Sequence, residues 1–383
     1  MELPNYKNGS IVNLMSSIGE ALGTKCIYDE LSLLRSKDLK DSKNIVLIVL
    51  DGLGYEYLKD KNSILNKGLK GKITSVFPPT TASAITTFVT GLAPQQHAFT
   101  GWFMHLKELG TVATTLLFNP RIGGQPFTTQ DVEFKDILNL ECFSERIEAS
   151  SYLVTPEEIM GSDFTKANSK KSEILGYQNL DGFFSQIKKA TNSHDERKYI
   201  FAYWPEFDSL SHEYGINSEE VKKHFWEIDK KISLFIDDIK GTKSTLIITA
   251  DHGLIDTTKE RTIELEDHPK LKECLTLPFC GEARLVYCYV HPSKAKQFEA
   301  YVKNNLNKFC NMRKSEELIN NNYFGLFEPN PKLIDRVGDY ALIMKENYVF
   351  TDKILNKREP FHIGNHGGVS KEEVFIPLVV FNE

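Results

Sequence analysis

The chain has 383 residues, 41% of them hydrophobic and 26% charged, with a formal net charge of −6. That is ample apolar material for a large core, and the acidic balance argues against a protein that coats nucleic acid or clings to an anionic membrane. Small molecules or proteins are the expected partners. The first 20 residues carry neither a basic start nor a continuous apolar stretch, and no window is long enough to span a bilayer, so no conventional export signal or membrane span is expected. Six cysteines, Cys26, Cys142, Cys274, Cys280, Cys288 and Cys310, are scattered without a CxxC pair. They read as free thiols of a reducing, cytoplasmic compartment, with export by an unconventional route as the alternative.

Ile11, Leu14, Met15, Ile18 and Leu22 recur at helical spacing and predict an amphipathic helix over residues 10–22, stopped by Gly23. Asn44 to Leu50, NIVLIVL, is an apolar run without polar alternation, the pattern of a strand buried on both faces of a parallel sheet. Asp51 follows it, with Gly52 and Gly54 allowing a tight turn. Ligands of open α/β sheets collect at the carboxyl ends of strands, so this acid is well placed for chemistry; a helix cap is the alternative. In FPPTTASAITTFVTG, residues 77–91, Pro78 and Pro79 force a turn and set Thr80 and Thr81 where a helix begins. A hydroxyl there either caps the helix or attacks an anion held at its positive end. LAPQQHAFTGWFMH, with Pro94, His97, Gly101 and Trp102, reads as a loop over the site, and Val112 to Phe118 as a strand. Residues of about 120–195 have weak periodicity and read as an insertion that shapes a pocket, with a helix start near Thr155.

Lys198 to Trp204, KYIFAYW, predicts another strand, running into PEFDSLSHEYG. Asp208 and His212 stand four apart, on one face of a helical turn, where they suit one metal ion or a surface ion pair. A long helix follows over 218–240, and Ser244 to Ala250, STLIITA, repeats the buried-strand pattern before Asp251 and His252. Residues 256–360, with strands at Arg284–Val290 and Tyr340–Met344 and a helix near 294–305, read as an inserted cap. The glycine-rich NHGG places His366 on a turn ahead of the last core strand, Ile376 to Phe381. The expected architecture is one α/β domain over 1–383: a mostly parallel central sheet, helices on both faces, and cap insertions at about 120–195 and 256–360.

The polar residues that follow buried strands or sit on tight turns are Asp51, Thr81, Asp208, His212, Asp251, His252 and His366. Carboxylates and imidazoles without thiolates suit zinc or a similar divalent ion, manganese being the other choice, and six such ligands suffice for two ions with open positions. Paired ions roughly 3.5–4 Å apart stabilise the attacking and leaving oxygens of an in-line phosphoryl displacement. The threonine is then the nucleophile, since a coordinated hydroxyl loses its proton without a general base. No GxSxG elbow is present, and none is required.

VLDGLG, FPPTTASAITTFVTG, DSLSH, ADHG and NHGG come in the order found in the alkaline phosphatase superfamily. From about residue 43 onward the chain most resembles its nucleotide pyrophosphatase/phosphodiesterase branch, the type I phosphodiesterases. The resemblance implies one zinc on Asp208, His212 and His366, and another on Asp51, Asp251, His252 and the nucleophile. It selects Thr81 over Thr80, through a phosphorylated or nucleotidylated threonine. Two positions depart from the family. Ala82 replaces an aromatic that follows the nucleophile, and Trp102 falls where an asparagine holds a phosphoryl oxygen. Trp102 either supplies an indole donor there or packs in the lid; Tyr203, five before Asp208, matches an aromatic that lines the pocket. No arginine stands where the phosphatase branch clamps a dianion, which leans toward hydrolysis of phosphoric diesters. A phosphomonoesterase, a phosphonoacetate-type hydrolase and a non-catalytic binding protein are the other readings. His362, four before His366, is the remaining histidine of interest.

Overall fold

The computed structural model describes residues 1–138, 140–194, 196–355, 357–358 and 360–383, with Lys357 and Arg358 described by their backbone alone. Its larger sheet has seven strands: β1 (Asn44–Leu50), β2 (Leu69–Thr74), β3 (Ser150–Pro156), β4 (Ser172–Tyr177), β5 (Lys198–Trp204), β6 (Ser244–Thr249) and β7 (Phe375–Asn382). They lie in the order β2-β7-β6-β1-β5-β3-β4. The five from β6 to β4 run parallel, whereas β7 is antiparallel to both β6 and β2. Every residue of β1 and β6 is buried, as their unalternated apolar sequences require of strands covered on both faces. β1 pairs in register with β5 on one side and β6 on the other, Ile48 facing both Ala202 and Ile248. The carboxyl ends of three neighbouring strands therefore open side by side.

Four helices matter to the site: α1 (Ile11–Ala21), α2 (Thr81–Thr90), α3 (Glu206–Tyr214) and α4 (Glu219–Asp238). α1 is buried along Ile11–Gly19 and packs on α2. α2 is built of small and β-branched residues, buried from Ala82 to Phe88, and ends at Gly91, whose φ of 67° is the left-handed closure that glycine takes without strain. Ser218 caps α4 by accepting from the Val221 N–H. No helix among the described residues is long and apolar enough to cross a membrane.

A second, wholly antiparallel sheet covers the open end. It runs in the order Cys310–Lys314, Tyr340–Met344, Leu285–Cys288, Cys280–Glu282, Phe103–Leu106, Thr111–Thr114, Asn119–Pro120. Phe298, Leu306 and Leu342 are among the residues of its own apolar core. The cap expected from residues 256–360 is thus completed by residues 103–120.

The stretch 120–195 departs from the expected insertion. It supplies β3, which pairs with β5, and β4, which pairs with β3, and so extends the larger sheet. Partly exposed strands lose the uninterrupted apolar signature: β3 reads SSYLVTP and the edge strand β4 reads SEILGY, which hid them. Thr155 lies inside β3 rather than at a helix start, the helix beginning at Glu157. Only Thr111–Thr114 of the strand expected at 112–118 is extended, because Phe118 turns with a φ of 54°. His97 is core rather than loop. It closes the short helix Pro94–His97, meets the Thr87 hydroxyl at 3.1 Å and accepts from the Phe99 N–H at 3.0 Å; burial, then Arg336, holds its pKa down to about 3.

Candidate active site

Four ligand-type side chains arrive from the strand ends. Asp51 follows β1 directly, Asp251 and His252 follow β6 within three residues, and Asp208 sits in the first turn of α3, just past β5. Asp251 is fixed by accepting two backbone N–H groups on Oδ1, from Gly52 at 3.0 Å and from His252 at 2.9 Å. This leaves Oδ2 pointing at His252 Nε2, 3.3 Å away, with Asp51 Oδ1 at 3.4 Å from the same nitrogen. The spacing within α3 brings His212 Nε2 to 3.1 Å from Asp208 Oδ2, and the Gly364 carbonyl at 2.7 Å fixes the outer nitrogen of His212. His366 stacks on His252 with ring centroids 3.8 Å apart and lies 5.2 Å from His212.

All seven residues singled out in the sequence meet in one cluster. The ligand atoms of Asp51, Asp251 and His252 lie within 4.8 Å of one another, and so do those of Asp208, His252 and His366. His252 belongs to both groups. Thr81 begins α2 with its Oγ1 3.2 Å from His252 Nε2. Thr80 takes the N-cap backbone conformation, yet its hydroxyl donates to Glu282 Oε1 at 2.5 Å rather than capping the helix.

Electrostatics mark the cluster as incomplete by itself. Burial, then repulsion from Asp251 and Asp208, raises the Asp51 carboxyl well above its ordinary value. Burial also pulls Asp208 up, but His212 outweighs it and holds the carboxyl low; reciprocally, Asp208 overcomes the burial of His212 and lifts that imidazole to about 9. Burial and His252 push His366 well down. Asp51 Oδ1, Asp208 Oδ1, Asp251 Oδ2 and His366 Nδ1 are buried without any hydrogen-bond partner. Orphaned groups of this kind cost about 1–3 kcal/mol each. Four of them converging on one space, all of metal-ligating type, fit divalent cations.

A cavity of about 440 Å³ opens from Thr81, Asp208, His212 and His366 toward the cap, where Phe103, Phe279, Phe350 and Phe361 line it. Trp102 lines it too, and its backbone N–H donates to Glu282 Oε1 at 2.7 Å. Tyr203 stands elsewhere, behind the cluster, where its hydroxyl donates to Asp51 Oδ2. It therefore orients a candidate ligand and does not line the cavity. Sequence reasoning missed Glu282, which lines the cavity and whose carboxyl burial pushes up to about 7. Its neighbourhood, CGEA, carries only turn residues and an acid, the ordinary look of a solvated loop. Arg121 was missed as well. It stacks on Phe103 at 3.8 Å and is held by Asp352 at 2.6 Å, so it is a paired cation rather than a free phosphate clamp. His362 does line the cavity, its ring 4.4 Å from that of His212.

The model of the family described as type I phosphodiesterase / nucleotide pyrophosphatase matches residues 45–369. The chain belongs to that family. The match takes in Asp51, Thr81, Asp208, His212, Asp251, His252 and His366, and ends three residues beyond the last of them. Human ectonucleotide pyrophosphatase/phosphodiesterase family member 5 is 25% identical over 250 residues, 60% of this chain and 48% of that protein. Human bis(5'-adenosyl)-triphosphatase is 23% identical over 342 residues, 84% of this chain and 68% of that protein. The chain thus spans about half the length of the first of these relatives. Among solved structures, murine ectonucleotide pyrophosphatase/phosphodiesterase 5 superposes with a TM-score of 0.67 at 20% identity over 87% of each chain. Phosphonoacetate hydrolase from Sinorhizobium meliloti 1021 superposes at 0.62 with 15% identity, over 89% of this chain and 90% of that one. The fold is alkaline phosphatase-like.

Proposed function

We propose that the chain hydrolyses phosphoric diesters, including pyrophosphate-linked ones, with Thr81 as nucleophile. The observation that carries this reading is the position of Thr81 Oγ1, at the first residue of α2 and 3.2 Å from His252 in a cluster of unpartnered carboxylate and imidazole atoms. Asp51, Asp251 and His252 would hold one divalent ion, and Asp208, His212 and His366 a second, with zinc the first choice for an O/N ligand set. Such ions supply Lewis acidity, which lowers the pKa of the threonine hydroxyl and offsets charge on the phosphoryl oxygens.

In the first half-reaction Thr81 Oγ forms a bond to phosphorus, the bond to the leaving oxygen breaks, and that oxygen takes up a proton. The free N–H groups at the start of α2 favour the anionic phosphoryl group beside Thr81. Water then attacks the same phosphorus, the P–O bond to Thr81 breaks, and the hydroxyl is restored as the monoester product leaves. Tyr203 keeps Asp51 in one orientation, and the Gly364 carbonyl does the same for His212. The aromatic wall of the cap shields the centre from bulk water and receives the organic group.

The family name and the relatives named for pyrophosphatase/phosphodiesterase and bis(5'-adenosyl)-triphosphatase activity support this reading. So does the murine neighbour, solved in an inactive form in complex with AMP. The test is hydrolysis of bis-p-nitrophenyl phosphate against p-nitrophenyl phosphate, with Thr81→Ala as control and elemental analysis of the same sample. A diester preference with close to two metal ions per chain is expected. A monoester preference would overturn it.

A further inference from the structure

The carboxyl of Glu282 presents two unlike oxygens. Oε1 accepts both the Thr80 hydroxyl at 2.5 Å and the Trp102 N–H at 2.7 Å. Oε2 has no hydrogen-bond partner within the described residues and is not sealed off, although Glu282 lines the cavity. The side chain is thus pinned by one oxygen beside Thr80, with the other unpaired, on a residue that lines the same cavity as Thr81. Among the described residues that line the cavity, the only positive group besides the histidines is Arg121, and Asp352 pairs it at 2.6 Å. His212, across the cavity, acts on Glu282 only at a distance, and among the described residues no cation is hydrogen-bonded to its free oxygen.

We propose that Glu282 is a specificity-determining residue that bars doubly charged phosphoryl groups and so sets the preference for diesters. This rests on the diesterase reading above and goes beyond it by naming the group that discriminates. A diester presents one negative charge to the carboxylate. A monoester carries close to −2 above its second pKa of about 6, and so meets about twice the repulsion. At the effective dielectric of a partly buried site, one extra charge a few ångströms away is worth a factor of ten or more in binding. The tether through Oε1 keeps the opposing charge from swinging away. Burial pushes the carboxyl up to about 7 while the bonds from Thr80 and Trp102, and after them the His212 charge, pull against it, so at pH 8.5 it is charged.

The decisive comparison uses metal-loaded protein at pH 8.5. Glutamine keeps an oxygen for Thr80 and Trp102 and removes only the charge, whereas aspartate keeps the charge. In Glu282→Gln the ratio of kcat/KM for p-nitrophenyl phosphate to that for bis-p-nitrophenyl phosphate should rise about tenfold, mainly through a lower KM for the monoester. Inhibition by orthophosphate should strengthen to a similar degree, and Glu282→Asp should stay near the unmodified ratio. A Glu282→Gln ratio within twofold of the original would overturn the proposal while leaving diester hydrolysis standing. Inactivity of the unmodified protein toward both esters would overturn the diesterase reading and this one with it. A measurement free of variants covers the case in which glutamine prevents folding. The unmodified protein should be inhibited more strongly by dimethyl phosphate than by methyl phosphate, and the reverse order would overturn the role of Glu282.

Discussion

Glu373 and Arg284 form a clamp beneath the turn that carries His366, and removing one partner should be costly. Glu373 is fully buried, and each of its oxygens accepts two hydrogen bonds. Oε1 takes Arg284 Nε at 3.0 Å and the Gly368 N–H at 2.7 Å; Oε2 takes Arg284 Nη2 at 2.8 Å and the Ser370 N–H at 3.3 Å. Glu373→Gln turns one oxygen into an NH2 group, so whichever way the amide sits, one arginine bond and one backbone bond are lost. At about 1.5–3 kcal/mol per bond to a charged group, the loss is about 3–6 kcal/mol. The cost of stripping one partner from a buried ion pair, about 3–5 kcal/mol, agrees. Urea unfolding followed by far-UV circular dichroism would read it. Replacing both partners by apolar residues, Arg284→Met with Glu373→Leu, should cost less than Glu373→Gln alone, because no uncompensated charge stays buried. Burial raises the Glu373 carboxyl, but Arg284 outweighs it and the net shift is downward. The clamp therefore stabilises above the unfolded carboxylate value of about 4.3, and weakens only as pH falls through the lower folded value. A Glu373→Gln variant within about 1 kcal/mol of the original would refute the reasoning, since among the described residues Glu373 is the carboxylate that pairs Arg284, whose remaining bond goes to the neutral Tyr348 carbonyl at 2.7 Å.

Thr81→Ala should cut diester hydrolysis at least about 10³-fold while metal content by elemental analysis stays nearly intact, since nucleophile and ligand set are largely separate residues. Asp208→Asn should instead lower metal occupancy, and retention of both ions would contradict its assignment as a ligand. In metal-free protein the Asp208–His212 pair stabilises most below the unfolded histidine value of about 6.5 and is lost as pH rises through about 9. Metal uptake must displace that proton. Titration calorimetry in buffers of different ionisation enthalpy should then show proton release at pH 7 that fades as pH passes about 9. Gly368→Ala should resemble Glu373→Gln, because an added Cβ would lie 2.7 Å from Glu373 Oε2 and 3.0 Å from Arg284 Nη2.

The larger sheet was legible where strands are buried on both faces, since NIVLIVL and STLIIT admit no other covered arrangement and each delivers an acid at its carboxyl end. The candidate ligand cluster was legible as a grouping for a related reason: Asp51, Asp251 and His252 follow those strands, Asp208 and His212 share the helix after β5, and His366 sits on a glycine turn. β3 and the edge strand β4 were not, because partly exposed strands mix polar and apolar residues as loops do. His97 carried a loop signature in PQQH and is core, its two nitrogens satisfied by Thr87 and the Phe99 N–H, which no local pattern reveals. Tyr203 shows the opposite limit. Its place five residues before Asp208 matched a pocket-lining aromatic of the resembling family, but β5 alternates its side chains, and which neighbour takes the hydroxyl depends on the register with β1, which sets Val49 opposite Tyr203 and leaves Asp51 within reach.

The two sheets meet at the site through a stretch of three residues. Glu282 binds Thr80, the residue before Thr81, and the Trp102 backbone, and Arg284 binds the acid that holds the His366 turn. Between them, Ala283 lines the cavity and its carbonyl accepts the Phe350 N–H at 2.8 Å. A rigid displacement of the cap by a fraction of an ångström would therefore stretch the bonds to Thr80 and the clamp on Glu373 together, and with them move both the Thr81 hydroxyl and His366. Packed interfaces resist such partial shifts, because dispersion contacts and hydrogen bonds are both lost steeply with distance. Thr81 and His366 come from segments almost 300 residues apart in sequence, and Glu282 and Arg284 of the cap tie the neighbourhoods of the two to each other. Substitutions here should accordingly alter kcat as well as stability, whereas equally buried substitutions in the outer half of the cap, at Leu306 or Phe298, should affect stability alone.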